Sequence, residues 1–377
     1  MFSSVNRKLR VGVIGAGAFA ETCHVPGLQS HPQAEVVAIC GRRYEHVRSF
    51  ADRFNIPDVH TDYDELCARS DLDAVTIVTP NVEHSRQAIA ALGSGKHVFC
   101  EKPIAMTLPQ ACEMVRAAEM SRKIHQVAFT YRYLYSVLEL RRRVLLGDIG
   151  TPYFMRIQYD SWEGMQASYR IGYRDKLELA GGGVLFDMGS HLFDLARFVL
   201  GPIEMVTGFW QHVPRQRFDG TAGKPATVET DDIAAAWFTH ESNVRGQWFA
   251  SRVTPALGDR GCLEVIGPEG ALKASLSRGS VDVLKVSSPG RPDWKELPLP
   301  EAARDKQPHC LGIMMRSFVD ACLRGKLDGE VDASFYDGLA AQQALAAVTE
   351  VNAQNTWVPI RKAFEKEGRA PQKTHAE

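Results

Sequence analysis

Val11-Gly12-Val13-Ile14-Gly15-Ala16-Gly17-Ala18-Phe19-Ala20 runs from a short apolar stretch into a glycine-spaced turn and then into a helical pattern. The spacing is G-x-G-x-x-[GA], and its place between a strand and a helix gives it meaning. A glycine at 15 permits the tight turn. A glycine at 17 leaves room for backbone to approach a pyrophosphate, and Ala18 and Phe19 open the helix whose free N–H groups face the phosphates. Ala20 lets helix and strand pack closely. The stretch predicts the first βαβ unit of a dinucleotide-binding sheet.

Outward from this loop, strand and helix patterns alternate. Strands are expected at Leu9–Ile14, Glu35–Cys40, Ala74–Thr79, His97–Cys100 and His125–Thr130. Between them lie helical stretches at Phe19–Gln29, kinked or ended near Pro26, at Tyr44–Phe54 and at Glu83–Gly93. Thr107 reads as an N-cap, with Pro109 in the first turn of a helix reaching Ser121. This repetition predicts a parallel, doubly wound sheet over residues 1–130. After Tyr131 the pattern changes. A helix at Val137–Leu146 is followed by strand-like runs at Pro152–Ser161, Glu204–Pro214, Ile233–Thr239, Val244–Thr254, Cys262–Ile266 and Val281–Ser287, then helices at Gly312–Arg324 and Ser334–Asn352. Residues 131–360 therefore read as an α+β domain with a large, mostly antiparallel open sheet. The charged stretch 361–377 reads as a frayed tail.

Length and composition agree with two domains: 377 residues, 45% hydrophobic and 24% charged. A net charge of -1 argues against a nucleic-acid binder. The eight cysteines form no C-x-x-C pair, so they read as reduced thiols rather than zinc ligands. The N-terminus has no apolar segment of the signal-peptide kind, and no apolar run approaches the roughly 20 residues of a membrane span. The expectation is a soluble cytoplasmic protein without bound metal.

The second strand ends Ala38-Ile39-Cys40-Gly41-Arg42-Arg43. An NAD site usually places a carboxylate in this region to hold the ribose 2′-hydroxyl. Gly41 fills that slot, and Arg42 and Arg43 can pair with a 2′-phosphate, so NADP is favoured over NAD. The competing reading of the two arginines is a solvated start to the next helix.

His97-Val98-Phe99-Cys100 runs into Glu101-Lys102-Pro103, and carboxyl ends of parallel strands line the ligand crevice. A lysine there can donate to a substrate oxygen. Further on, Gly181-Gly182-Gly183 precedes a helical stretch whose Leu185, Met188, Leu192, Leu195 and Val199 form a buried stripe. Asp187, His191 and Asp194 are expected on a neighbouring face of it. A histidine suits proton exchange at neutral pH. The alternatives are a core histidine satisfied by a carbonyl and, less favoured, a divalent metal site.

Glu101-Lys102-Pro103, Gly15-Ala16-Gly17 and Thr79-Pro80-Asn81 with His84 together resemble the Gfo/Idh/MocA oxidoreductase family, that of glucose–fructose oxidoreductase and inositol dehydrogenase. The likeness runs from about Leu9 to about Val358. It implies that Lys102 lies beside nicotinamide and substrate, with a cis peptide before the proline. It implies that Thr79, Pro80 and Asn81 border the cofactor with Glu101, and that His84 is structural or cofactor-adjacent. Asp187-x-Gly189-x-His191 matches the family's aspartate-x-x-x-histidine motif, so His191 becomes the acid/base and Asp187 its assistant. Asp194 also fits, without an assigned role. Arg132 matches the arginine of a family element whose flanking residues differ here. Tyr173-Arg174 falls where the family often has tryptophan-arginine. By residue type Trp162, Arg132, Tyr173 and Arg174 are the candidate substrate contacts, aromatic planes and arginines suiting a polyol or a carboxylated or phosphorylated sugar, with a solvated loop as the alternative. The implied activity is hydride transfer between NAD(P) and a secondary alcohol or ketone of a sugar, polyol or sugar derivative, EC 1.1.1.-. The rival readings are a cofactor-sensing regulator of the same fold and a redox-neutral hydrolase or epimerase with tightly bound NAD(P). Apolar residues expected on the open sheet, among them Phe209, Trp237, Phe238, Trp248 and Phe249, together with the family's habit, imply a homodimer or homotetramer.

Overall fold

The computed structural model describes residues 7–166, 170–213, 216–218, 225–255, 261–276, 282–291, 293–301, 309–354 and 357–360. The charged tail expected at 361–377 lies outside the described residues. Six strands build the first sheet: β1 Leu9–Ile14, β2 Ala34–Cys40, β3 Asp58–His60, β4 Ala74–Ile77, β5 His97–Cys100 and β6 His125–Val127. Their spatial order is β3-β2-β1-β4-β5-β6 and every pairing is parallel. The order reverses direction between β1 and β4, which opens the crevice where dinucleotides bind in such sheets. Val11, Val13, Ile39, Val75 and Val98 are almost fully buried, as a sheet covered on both faces requires.

The second sheet contains β7 Phe154–Asp160, β8 Ile203–Gln211, β11 Ile233–His240, β12 Arg245–Ser251, β13 Gly261–Gly267, β14 Gly270–Ser275, β15 Leu284–Ser287, β16 Lys295–Leu297 and β17 Val358–Pro359. A two-stranded ribbon, β9 Gln216–Phe218 with β10 Pro225–Thr227, stands apart from it. Among the described residues the large sheet has nine strands in the order β16-β15-β14-β13-β7-β12-β11-β8-β17. Only β12 against β7 is parallel. The period-two alternation is plain in β11, where Ala234, Ala236 and Phe238 face inward. Trp248 also faces the helices. Phe209, Ala235 and Phe249 sit abreast on the outer face, and Trp237 lies one row away. Phe209, Trp237 and Phe249 remain 46%, 49% and 37% exposed.

The last two helices fold back across the domains. His309–Arg324 packs on the helix Val25–Gln29, and Phe335–Gln354 packs on Leu108–Ser121. Gly27 lies so close to Met315 that a Cβ on it would sit 2.6 Å from the Met315 Cβ. The Thr107 cap is present as expected, with its hydroxyl accepting from Gln110 N–H and the Gln110 side chain accepting from Thr107 N–H.

Two local readings need correction. Phe19–Gln29 is not one α-helix: Ala20–His24 is a π-helical turn, followed by α-helix at Val25–Gln29 with Pro26 in its first turn. The stretch from Val184 is also interrupted. A short helix Val184–Asp187 ends at Met188 and a second runs Gly189–Leu200, so Asp187 and His191 do not share one continuous helix. The stripe itself is buried as expected.

Candidate active site

The glycine loop owes its shape to crowding. Gly15 has φ +114, and a Cβ there would lie 2.6 Å from the Val78 carbonyl oxygen. Only glycine takes that conformation without strain. Gly17 is the opposite case: a Cβ there would meet nothing within 4 Å. The open space sits at the amino end of the helical turn, as a pyrophosphate cradle needs. Ala18 and Phe19 begin that turn. Gly41 follows β2, its N–H donating to the His60 carbonyl. Arg42 and Arg43 are exposed, and the Arg43 carbonyl accepts from the Val47 N–H at the start of the next helix. The residues present thus fit a nicotinamide dinucleotide, with Arg42 and Arg43 just past the end of β2.

Behind β4, Thr79 donates from Oγ1 to Gln87 Oε1 at 2.7 Å. Pro80 precedes the helix Asn81–Gly93. Asn81 is buried and donates from Nδ2 to the Ala180 carbonyl at 2.8 Å, which ties the first domain to the loop before the glycine run. His84 is fully buried between the Pro103 and Thr79 carbonyls at 2.9 and 3.0 Å. Burial pushes its pKa down. It joins the two loops that flank the crevice.

A cavity of about 350 Å³ opens at the carboxyl end of β5. Phe19, Glu101 and Lys102 line it from the first domain, and Tyr159, Ser161, Glu163, Arg174, Asp187, Met188, His191, Ser251 and Arg252 from the second. Lys102, Asp187 and His191, far apart in sequence, share this one space. Lys102 precedes a cis proline peptide. Its Nζ donates to the Asp187 carbonyl at 2.9 Å and to the Asp187 carboxylate. Burial pulls the Lys102 pKa down, and the Asp187 anion opposes it without fully restoring it. Burial likewise works to raise Asp187, but Lys102 and Arg174 outweigh it and hold the carboxyl well below the usual range. Arg174 Nε lies 3.5 Å from Asp187 Oδ1.

The backbone around Asp187 is fixed from behind. Asp231 accepts from the Gly183 and Leu185 N–H groups at 2.5 and 2.7 Å. A Cβ on Gly183 would overlap the Asp231 backbone, so the glycine run is a close-approach element. His191 is 2% exposed, with Tyr131 and Phe129 edge-on at 4.8 and 5.9 Å. Arg252 is held by Asp232 and Asp175 at 2.6 and 3.2 Å and forms a rigid floor.

Several expectations about substrate contacts change. Arg132 does not line the cavity. It is buried, bonded through both Nε and Nη2 to Asp194 and through Nη2 to Asp337, and stacked on Phe198 at 4.8 Å. Asp194 is therefore the partner of Arg132, turned away from Asp187, and the aspartate pair does not converge with His191 on a metal position. Among the described residues no group of three or more histidine, cysteine, aspartate or glutamate side chains is arranged to hold a metal ion. Trp162 is 40% exposed and also stays off the cavity wall, although its neighbours Ser161 and Glu163 line it. Tyr173 contributes indirectly, its ring lying 4.8 Å under the Arg174 guanidinium. Tyr159, Ser161, Glu163, Ser251 and Arg252 were not singled out from sequence, because their shared location depends on sheet register. His24 was missed as well. It sits behind Glu101, with Nε2 at 3.1 Å from Oε1. A histidine nine residues after Gly15 is a weak signal unless the turn between is known to be π-helical.

Residues 9–129 match an oxidoreductase family described as having an NAD-binding Rossmann fold, and residues 137–273 match the GFO/IDH/MocA C-terminal domain. D-glucoside 3-dehydrogenase of Escherichia coli is 32% identical over 59% of this chain and 64% of its own length. The chain spans less than two thirds of the first two curated relatives it matches, 64% and 55%. Levoglucosan dehydrogenase of Pseudarthrobacter phenanthrenivorans is 25% identical over 94% of this chain and 98% of its own. A solved levoglucosan dehydrogenase in complex with NADH superposes with a TM-score of 0.85, at 24% identity, over 94% of this chain and 99% of that one, which establishes the shared fold.

Proposed function

The chain belongs to the Gfo/Idh/MocA oxidoreductase family, and from that premise we propose that it is an NAD(P)-dependent dehydrogenase or reductase acting on a secondary alcohol or ketone of a sugar, polyol or sugar derivative. The observation that carries this reading is the convergence of Lys102, Asp187 and His191 on one cavity, beside Phe19 of the glycine loop. Gly15, Gly17, Ala18, Phe19, Gly41, Arg42 and Arg43 would hold the dinucleotide, with Glu101 and Lys102 at its nicotinamide end. When bound, the nicotinamide gives or takes the hydride.

The chain's own groups manage the proton and the geometry. The Lys102 ammonium donates to the substrate oxygen and favours charge developing there. Asp187, kept ionised by its two cationic neighbours, holds that ammonium in place. His191, clamped by Tyr131 and Phe129, takes the hydroxyl proton in oxidation and returns it in reduction. Tyr159, Ser161, Glu163 and Ser251 offer hydroxyl and carboxylate partners at the cavity wall, which suits a hydroxyl-rich ligand. The names of the sugar-acting relatives support the same substrate class.

Three finer readings accompany this one. NADP is preferred over NAD, because Gly41 offers no carboxylate and Arg42 and Arg43 stand exposed beside it. The outer sheet face carrying Phe209, Trp237 and Phe249 pairs with a second copy to give a dimer or tetramer. The cytoplasm is the compartment, a reading supported by the eight cysteines, none of which is in a disulfide. Among the described residues, no helix is long and apolar enough to cross a membrane.

The test is a screen of neutral sugars, polyols and sugar acids with NADP and NAD, followed at the nicotinamide absorbance band. A responding substrate is then assayed with His191→Ala and Lys102→Ala. Both substitutions are expected to depress turnover at least about a hundredfold. Undiminished turnover in both would reject the assignment.

A further inference from the structure

We propose that His24 is a positioning residue for the Lys102 amine: its Nε2 donates to the Glu101 carboxylate and holds that anion in place beside the lysine. The inference rests on the role proposed above for Lys102, and it concerns a residue outside the glycine motif.

His24 closes the π-helical turn Ala20–His24 and is fully buried. Its Nε2 lies 3.1 Å from Glu101 Oε1. That bond requires a proton on Nε2. Nδ1 is buried and has no hydrogen-bond partner among the described residues. A second ring proton would therefore be a buried, unsatisfied donor. The ring cannot rotate away, because Phe99 and Phe19 pack edge-on against it at 5.4 and 5.9 Å. Phe19 also lines the cavity, so the glycine loop and the lysine are mechanically linked through this ring.

Glu101 is held at both oxygens. Oε1 accepts from His24, and Oε2 accepts from the Lys102 N–H at 3.3 Å. The charged and titratable groups around the Lys102 amine are Asp187 and Arg174 across the cavity, His191, Glu163 and Arg252 on its other walls, Glu101 on its own loop, and His84 behind that loop. Burial and Arg174 disfavour the ammonium, while Asp187 and Glu101 favour it. Glu101 lines the cavity. Without the His24 bond only the Lys102 N–H still holds the carboxylate, at 3.3 Å, and its Oε1 is released, which leaves Asp187 as the more firmly fixed anion against the amine. His24 thereby couples the dinucleotide loop to the charge of the proposed catalytic lysine.

The test is an NMR titration of protein labelled with 13Cε-lysine, measured with and without NADP, the Lys102 signal being assigned by its loss in Lys102→Met. His24→Phe and Glu101→Gln should each lower the Lys102 titration midpoint by about one pH unit, the usual spread that environment imposes on a side chain. His24→Gln, whose amide nitrogen reaches the same carboxylate oxygen, should return the midpoint close to the parent's. An unchanged midpoint in His24→Phe overturns the proposal. So does a His24→Gln protein that behaves like His24→Phe, since the effect would then belong to packing. Should His24→Phe fail to fold, an unchanged midpoint in Glu101→Gln overturns it alone. The midpoint is read without turnover, so the two claims separate: full activity in Lys102→Met would reject the catalytic reading and leave the titration result standing.

Discussion

Substituting alanine at the two loop glycines should separate folding from cofactor binding. At Gly15 the backbone holds φ +114, a conformation that strains any residue with a Cβ by about 1–3 kcal/mol. The new Cβ would also sit 2.6 Å from the Val78 carbonyl oxygen and 2.8 Å from its carbon. Those are backbone atoms at the end of β4, and the Val78 N–H is itself bonded to the Ile14 carbonyl at 2.8 Å. The neighbour cannot turn aside as a flexible side chain would. The combined loss for Gly15→Ala is about 2–4 kcal/mol, near the upper end for single substitutions. At Gly17 a Cβ meets nothing within 4 Å, so Gly17→Ala should change stability by no more than about 0.5 kcal/mol. The new methyl instead occupies the space left for pyrophosphate, and cofactor affinity should fall at least about tenfold, or 1.4 kcal/mol. Urea unfolding reads the first effect and fluorescence titration with NADPH reads the second. A Gly15→Ala protein as stable as its parent, or a Gly17→Ala protein that binds NADPH with parental affinity, would refute the reasoning.

Arg132→Met strands the buried Asp194 carboxylate, while the half-buried Asp337 keeps Arg197, and should cost about 3–5 kcal/mol in a urea titration, because Asp194 loses its cation in a dry site. Arg42→Ser and Arg43→Ser should each weaken NADP binding roughly tenfold to a hundredfold and leave NAD binding unchanged, as isothermal titration with both dinucleotides would reveal. The rate should fall on the alkaline side at a pH below that of an ordinary lysine, because burial depresses Lys102 and the ammonium is lost as pH rises through that lowered value. Asp187→Asn removes the opposing anion and should move this limb to still lower pH in a pH–rate profile.

Residues 11–20 made the first domain legible, since a glycine pattern between strand and helix leaves few topologies open. The edge strand β3 was missed because Asp58-Val59-His60 is three residues long and half-exposed, with no alternation to detect. β14, Gly270-Ala271-Leu272-Lys273-Ala274-Ser275, was not anticipated because its small residues carry little strand character. That Asp187 and His191 come together was legible from local spacing and family likeness, although the break at Met188 was not. Arg132 was misread for a physical reason: a motif match gives a residue's type, whereas its partners Asp194 and Asp337 are 62 and 205 residues away and appear only once the chain is folded. The same holds for the cavity wall. Tyr159 on β7 and Ser251 on β12 meet there because those strands run parallel, a pairing that no local pattern announces.

The central claim is that hydride passes between the nicotinamide C4 and a substrate carbon held against Lys102 and His191. The most direct measurement uses NADPH deuterated at C4, on whichever face the protein selects, with the ketone of a responding sugar, followed by mass spectrometry of the alcohol. One deuterium on the carbinol carbon, unchanged in ordinary water, is the predicted result. Product formed without that deuterium, or with hydrogen taken from solvent at that carbon, would contradict it.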